Sequence, residues 1–408
     1  MDRECRSCHG PRVSSVLSLG ELPLANALLS EEDLGRPDER FPLELVVCED
    51  CTLLQITESV SPEKLFREYL YFSSFSDTML AHAKALAAEL VAAEGLGPRS
   101  LVVEIASNDG YLLQFYRDGG VPVLGVEPAL NVAQVARERG IRTVTEFFGT
   151  ALAERLVAGG ERANVVHSHN VLAHVPDLEG VVDGVRALLA DDGVWLLETP
   201  SARDFVEHGE FDTIYHEHLC YFSLTALDAL MDRHRLVIRD VVHVPIHAGS
   251  LRLFIVRKEH GVRGPRVLEM LAAEEAWGVR KRSTYAGFAS RVESLKTTLV
   301  SLVDRLNAEG KTVAAYGAAA KATTLFNYFG MGHDKIAFAV DRSTYKQNRF
   351  IPGVRVPILP PSELVRRRPD YCLLTAWNMA DEILAQQKAY TDLGGRFIVP
   401  FPEVRIVG

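Results

Sequence analysis

The chain has 408 residues, a formal net charge of -10 and a sequence pI near 5.8. At that length two or three domains are expected, because a single hydrophobic core stops growing well before it. An acidic balance without a clustered basic stripe excludes a nucleic-acid surface, and no apolar stretch approaches the length that crosses a bilayer, so the expectation is a soluble, cytoplasmic protein with neither nucleic-acid nor membrane partners.

Two knuckles open the chain. Cys5-Arg6-Ser7-Cys8 and Cys48-Glu49-Asp50-Cys51 offer four thiolates, which in a reducing compartment are metal ligands rather than disulfide partners, and four sulfurs close a tetrahedral structural Zn(2+) site. With no position left for water or substrate, that zinc folds residues 1–66 and takes no part in the chemistry. An apolar segment, 13–29, lies between the knuckles, so the metal is expected to pin a small loop-rich module. Cys220 and Cys372 stand alone and read as buried small hydrophobes. Residues 65–76 then mix aromatics with hydroxyls; Tyr69, Tyr71, Phe72 and Phe75 are expected to pack the module onto the next domain, with one tyrosine left to face the site. A long helix follows over 77–94.

Residues 101–128 carry the strongest signal. An apolar strand, 101–105, enters the small polar turn Ala106-Ser107-Asn108-Asp109-Gly110, and after a short helix a second strand, 122–126, delivers Glu127 and Pro128 at its carboxyl end. This is a cofactor-binding βαβ unit, in which an acid at the end of the second strand can accept hydrogen bonds from both hydroxyls of a ribose. A pyrophosphate fingerprint would leave the helix amino terminus open to an anion, whereas Asn108 and Asp109 occupy this tip and Glu104 precedes it. An acidic tip repels a diphosphate and suits S-adenosylmethionine, whose sulfonium and amino groups are cationic. The expected cofactor contacts are Glu104, Ala106, Ser107, Asn108, Asp109, Gly110, Glu127 and Pro128. A strand at 165–172 runs into the loop His169-Asn170-Val171-Leu172-Ala173-His174, at the end of a sheet where open α/β folds bind ligands; Asn170 is the contact expected from it, and His167, His169 and His174 read as packed or capping residues. A helix over 178–189 and a buried strand over 193–198 continue a doubly wound sheet.

The densest polar stretch is Tyr215-His216-Glu217-His218. The H-E-x-x-H zinc motif needs histidines one helical turn apart, and His216 and His218 are two apart, so they cannot share a helix face. Proton chemistry fits better, with a histidine as base and a neighbouring carboxylate to orient it. Either histidine could be the base on spacing alone.

Residues 263–308 read as a charged helical connector anchored by Trp277 and Tyr285. A second βα turn follows: a strand at 311–316 enters Gly317-Ala318-Ala319-Ala320-Lys321 and a helix, where backbone amides and Lys321 would welcome an anion. A strand at 336–340 ends in Asp341, and the loop after it brings Lys346, Gln347 and Arg349 to the same edge, so this reads as a nucleotide-diphosphate site. Arg366-Arg367-Arg368 is a solvated helix end, and 396–400 is the last strand of the sheet.

Taken together, these motifs resemble the three-domain sugar C-methyltransferases of deoxysugar pathways. The resemblance covers nearly the whole chain and rests on the paired knuckles, on Tyr71-Phe72-Ser73-Ser74-Phe75-Ser76, Ser107 to Leu113, Asn170 to Val175 and Tyr215 to His218, and later on Gly249-Ser250-Leu251-Arg252, Tyr316 to Thr324 and Asp341 to Gln347. Two departures are visible. Ala106 stands where the family turn usually has glycine and Ala248 where a second glycine is expected before Gly249; alanine costs little there if φ stays negative. The resemblance implies an α/β chain with a zinc-binding module at 1–66, a doubly wound class I methyltransferase domain at 67–260, a helical connector at 261–308 and a Rossmann-like nucleotide-sugar domain at 309–408. It implies S-adenosylmethionine and structural Zn(2+) as cofactors and a dTDP-linked 4-keto-6-deoxysugar as substrate, in a monomer or homodimer. A hydrogen beside the C4 ketone of such a sugar is acidic, so His218 is expected to remove the C3 proton, with Glu217 and His216 orienting it or holding sugar hydroxyls and Tyr215 and Tyr71 donating to the C4 oxygen. Lys321, Gly317, Asp341, Lys346, Gln347 and Arg349 would hold the nucleotide sugar. Methylation at C5, an oxygen or nitrogen acceptor, and a non-catalytic binding protein are the alternatives.

Overall fold

The computed structural model describes residues 4–66 and 72–408. Three sheets organise them. The first is antiparallel: β1 (Val13–Pro23), β2 (Arg40–Cys48) and β3 (Leu54–Ile56), closed by a strand from far along the chain, Cys220–Tyr221. Along β1, Leu17 and Leu19 are buried while Ser18 and Gly20 face solvent, the period-2 alternation of a strand covered on one side. The knuckles at its end are two copies of one turn. His9 and Thr52, each following a knuckle's second cysteine, have φ of 57° and 67°, and their amides return to the carbonyls of Cys5 and Cys48 at 3.0 Å.

The central sheet comprises β4 (Val102–Ile105), β5 (Val123–Val126), β6 (Thr143–Val144), β7 (Ala163–His169), β8 (Leu189–Pro200), β10 (Leu236–Val244) and β11 (Ser250–Arg257), β9 being the Cys220–Tyr221 strand already placed in the first sheet. Its order is β6-β5-β4-β7-β8-β11-β10, parallel except that β11 runs against both neighbours. The chain steps from β4 to β5 on one side and returns to β7 on the other, so the carboxyl end of β4 is the switch point where ligands bind in such sheets. One face packs on the helix Asp77–Ala93, whose N-cap Ser76 accepts the Met79 amide at 3.3 Å and which buries Ala83, Leu86 and Leu90. That helix ends one residue earlier than expected.

Two helices, Pro265–Trp277 and Arg282–Ala308, make the connector; the second buries Tyr285, Phe288, Val292, Leu299, Val303 and Leu306, a stripe at helical spacing, and Trp277 packs edge-on against Tyr285. The third sheet, β12 (Val313–Tyr316), β13 (Ala339–Val340), β14 (Ile358–Leu359), β15 (Tyr371–Leu374) and β16 (Arg396–Val399), is parallel in the order β14-β13-β12-β15-β16. The expectation that 396–400 is its last strand is corrected by β17 (Arg405–Val407), which turns back and pairs antiparallel with β16, shielding Ile406 and Val407 in part. The basic run at 366–368 ends the exposed turn of a short helix, Ser362–Arg367.

Candidate active site

The knuckle sulfurs converge. Cys5 and Cys51 Sγ lie 3.5 Å apart, Cys8 and Cys48 Sγ 3.6 Å apart, and all four fall within 4.8 Å of one another. A tetrahedral zinc with bonds of about 2.3 Å spaces its sulfurs by about 3.8 Å, so the four thiolates fit that ion. No other group of three or more metal-binding side chains occurs among the described residues. The sheet that this site closes also carries the Cys220–Tyr221 strand, and the amide of Ile56 bonds the Leu219 carbonyl at 3.0 Å, so the zinc module grips the chain right after His218.

At the carboxyl end of β4, buried oxygens collect without partners: Glu104 Oε2, Ser107 Oγ, Asp109 Oδ1 and, from the loop after β7, Asn170 Oδ1. Buried polar atoms are nearly always hydrogen-bonded, so four orphaned acceptors around one turn mark a place for a ligand that brings donors and positive charge. S-adenosylmethionine brings both. Burial raises the Glu104 carboxyl well above its ordinary range, with Asp109 and Glu127 adding to it, and burial lifts Glu127 to about 7 against the amides that hold it. Those amides are Asn108 N–H at 2.9 Å and Ala129 N–H at 2.8 Å, one on each Glu127 oxygen. Asp109 pairs with Arg139 at 3.1 Å and accepts from Ser74, and the Ser73 amide donates to Asn108 Oδ1 at 3.1 Å, so 73–74 lie across the turn. Gly125 is needed on β5 beside this turn, since a Cβ there would sit 2.5 Å from Ser107 Oγ. Asn170, at φ 56°, is anchored through its amide to the Glu198 carbonyl at 2.8 Å, while the Glu198 carboxylate pairs with His169 and His82. His167 is buried against Tyr116 and His169.

Ala106 has φ 53° and Ala248 φ 67°. The condition under which alanine would cost little, a negative φ, is not met: both residues hold the left-handed conformation in which a Cβ costs about 1–2 kcal/mol.

Tyr215 and His218 form a pair. His218 Nδ1–H donates to the Thr213 carbonyl at 2.9 Å, which leaves Nε2 to accept from the Tyr215 hydroxyl at 2.8 Å. The edge of the His174 ring meets His218 with centroids 4.8 Å apart, and His174 Nδ1–H donates to the Glu217 carbonyl at 2.7 Å; burial brings His174 down to about 4, so it stays neutral. The Glu217 carboxyl is raised to about 7 by burial and accepts from Asn26 Nδ2 at 2.7 Å. His216 does not join this cluster. It is buried against Phe41, with Nε2 at 3.2 Å from the Pro42 carbonyl, and burial lowers it. The orienting contact on His218 is a backbone carbonyl rather than Glu217 or His216. Tyr69 and Tyr71 lie outside the described residues.

In the third sheet the turn after β12 is tight: Gly317 has φ 102°, and a Cβ there would meet that of Ala376 at 2.8 Å. Asp341 reaches into the turn, accepting from the Ala318 amide at 2.8 Å; Lys346 Nζ donates to the Ala318 carbonyl at 3.1 Å and stands 3.6 Å from the Asp341 carboxylate, and Gln347 donates to the Asp341 carbonyl at 3.0 Å. These four residues are brought together. Lys321 reaches elsewhere: it donates to Asn378 at 3.0 Å and lies 4.3 Å over the Trp377 ring, whose Nε1–H donates to buried Asp212 at 2.7 Å. Burial lifts Asp212 to about 7 despite the Lys321 charge. Arg349 is exposed, and its charge acts on Asp33 of the zinc module.

Three family models match successive parts of the chain. Residues 5–66 match the model of a zinc binding domain, 79–240 that of a methyltransferase domain and 245–402 that of a C-methyltransferase C-terminal domain. The C-methyltransferase NovU of Streptomyces niveus is 40% identical over 406 residues, 99% of this chain and 96% of NovU. The chain belongs to the C-methyltransferase family. Among solved structures, the magnesium protoporphyrin IX methyltransferase ChlM of Synechocystis is 16% identical at a TM-score of 0.34, covering 44% of this chain and 79% of its own, and the 1,6-didemethyltoxoflavin-N1-methyltransferase of Burkholderia thailandensis is 18% identical at 0.32, covering 43% and 78%. This C-methyltransferase uses S-adenosylmethionine as methyl donor and carries a zinc-binding amino-terminal module. Its acceptor atom is carbon, which sets aside the oxygen, nitrogen and non-catalytic alternatives. No helix among its described residues is long and apolar enough to cross a membrane. Asn26, Asp212 and Trp377 of the C-methyltransferase were missed by sequence reasoning, which weighs His174 only as a packed or capping residue. Of these, only His174, directly after the apolar Val171-Leu172-Ala173 at a strand's carboxyl end, stood where position drew notice.

Proposed function

We propose that this C-methyltransferase methylates C3 of a dTDP-linked 4-keto-6-deoxysugar in deoxysugar biosynthesis. The observation that carries the reading is the Tyr215–His218 pair. The Thr213 carbonyl fixes the proton on Nδ1, so the basic lone pair is on Nε2, and the phenol hydrogen of Tyr215 is the group that covers it. A hydroxyl has one hydrogen to give. When a ketone oxygen offers a better acceptor, Tyr215 turns its hydrogen to that oxygen and uncovers Nε2 in the same motion. His218 then takes the proton from the carbon beside the ketone, and the charge left on the C4 oxygen is held by Tyr215, with Tyr71 as a second donor. S-adenosylmethionine, when bound, would supply an electrophilic methyl group to that carbanion, its sulfur–methyl bond breaking as the carbon–carbon bond forms and S-adenosylhomocysteine leaving as a neutral thioether. Glu217 of this loop and Lys346 and Asp341 beside the third sheet are the proposed lining of the substrate's approach, with Gly317, Gln347, Lys321 and Arg349 as the proposed nucleotide contacts, and the proposed domain limits are 1–66, 67–260, 261–308 and 309–408.

A carbon-acid base is what an enolate mechanism requires and what a non-acidic acceptor carbon would not need. Two variants test the reading. His218→Ala loses methyl transfer by about a hundredfold or more while binding S-adenosylmethionine normally, and Lys321→Ala weakens binding of the dTDP-sugar but not of S-adenosylmethionine. Calorimetric titration of both variants against each ligand, with turnover alongside, decides it; near-normal turnover in His218→Ala removes the base assignment.

A further inference from the structure

We infer that the zinc module completes the reaction site through Asn26, a positioning residue whose side-chain amide holds the Glu217 carboxyl. The inference rests on the reading of the Tyr215 to His218 loop as the reacting site. Asn26 lies just past the end of β1, in a turn where the Ala27 amide bonds the Leu24 carbonyl and the Leu28 amide bonds the Asn26 carbonyl. The third domain clamps this turn on both sides. The Thr323 hydroxyl donates to the Ala25 carbonyl at 2.8 Å, and Leu29 and Phe350 exchange two backbone hydrogen bonds at 2.9 Å. The next residue on the same helix, Thr324, donates to the Ile214 carbonyl at 3.0 Å, at the root of the reactive loop. The zinc module, the Ala320–Phe329 helix and the reactive loop therefore meet around one side chain.

That side chain donates Nδ2–H to Glu217 Oε1 at 2.7 Å, across 191 residues of sequence. Glu217 is 4% exposed, and a buried carboxyl without a donor is costly, so the bond sets where the carboxyl sits and how readily it ionises. The other titratable groups about Glu217 are Lys346 from the third domain, whose charge favours the ionised form, His174 on its carbonyl, and Tyr215, His216 and His218 on its own loop. A neutral donor aimed at the one buried acid of the reactive loop does more than join two domains, because it adds no charge of its own yet favours one protonation state.

The experiment compares wild type, Asn26→Ala and Glu217→Gln in full-length zinc-loaded enzyme. With S-adenosylmethionine and the dTDP-linked 4-keto-6-deoxysugar, Asn26→Ala should lower kcat about tenfold to a hundredfold, as loss of a hydrogen bond to a charged group does, and leave S-adenosylmethionine affinity unchanged. The limb of the pH profile that disappears in Glu217→Gln should move to higher pH in Asn26→Ala, because the Asn26 bond favours ionised Glu217; a merely structural role would lower kcat at every pH without moving the limb. Independently of turnover, the carbon-13 signal of the Glu217 carboxyl, identified by its loss in Glu217→Gln, should titrate near 7 in wild type and higher in Asn26→Ala. Wild-type kcat and an unmoved titration in Asn26→Ala overturn the inference. Normal turnover in Glu217→Gln instead sinks the site reading while the carbon-13 titration still judges the Asn26 contact.

Discussion

Binding of S-adenosylmethionine should release protons, and Glu127→Gln isolates one of them. Burial lifts the Glu127 carboxyl from its ordinary 4.5 to about 7, with the Ala129 and Asn108 amides opposing the rise and Asp109 adding to it. Keeping Glu127 ionised in the free site therefore costs about 3 kcal/mol. In the free enzyme Glu127 is protonated to about nine-tenths at pH 6 and about one-tenth at pH 8. A cationic ligand and ribose hydroxyls both favour the carboxylate, so binding at pH 6 should expel about 0.9 proton from this group and about 0.1 at pH 8. The sign follows from the raised value: a group protonated in the free site and ionised in the complex makes affinity rise with pH through 7, by about tenfold between pH 6 and pH 8. Titration calorimetry in buffers of different ionisation enthalpy measures the proton count directly. The amino group of the ligand contributes alike to both proteins, whereas Glu104, whose own rise owes part to the Glu127 charge, titrates lower in Glu127→Gln, so the difference between the two proteins counts Glu127 together with the part of the Glu104 release that it induces. The variant should also bind about tenfold to a hundredfold more weakly at pH 8, having lost a charged acceptor. Equal proton release in wild type and Glu127→Gln would refute the reasoning.

Ala106→Gly should raise the melting temperature, because glycine holds φ near 53° without the left-handed penalty and the gain of about 1 kcal/mol exceeds the loss from a more flexible unfolded chain; a lower melting temperature contradicts this. Stripping zinc with a chelator should stop methyl transfer while leaving S-adenosylmethionine binding, since the sheet closed by the four cysteines holds the strand after His218 whereas the cofactor turn belongs to the central sheet. Metal content of one zinc per chain before treatment, with turnover and binding measured afterwards, checks it; unchanged turnover in metal-free protein would be the contrary result.

What the sequence disclosed was local. The knuckles, the acid-tipped turn between β4 and β5 and the glycine turn after β12 are short runs whose chemistry depends on near neighbours, and each lies where spacing put it. Contacts between domains carry no such pattern. Asn26 and Glu217, Thr323 and Ala25, and Trp377 and Asp212 are pairs of ordinary residues far apart in the chain, and nothing local marks them. The two-residue strand Cys220–Tyr221 is too short for any periodicity to reveal, although it ties the zinc module to the chain just after the Tyr215–His218 loop. His216 and His218 look equivalent in sequence, and only the direction of each ring, toward Pro42 or toward Tyr215, separates a packed histidine from the proposed base. Ala106 and Ala248 could not betray their left-handed φ, because alanine in itself prefers the opposite conformation.

The central claim is tested most directly by incubating the purified enzyme with S-adenosylmethionine and a dTDP-linked 4-keto-6-deoxysugar in deuterium oxide, following product mass and the NMR signals of C3 and C5. The account predicts a new carbon-bound methyl at C3, with the C3 ring proton lost. A methyl at C5 would contradict the position, and binding of both ligands without transfer would contradict the choice of sugar.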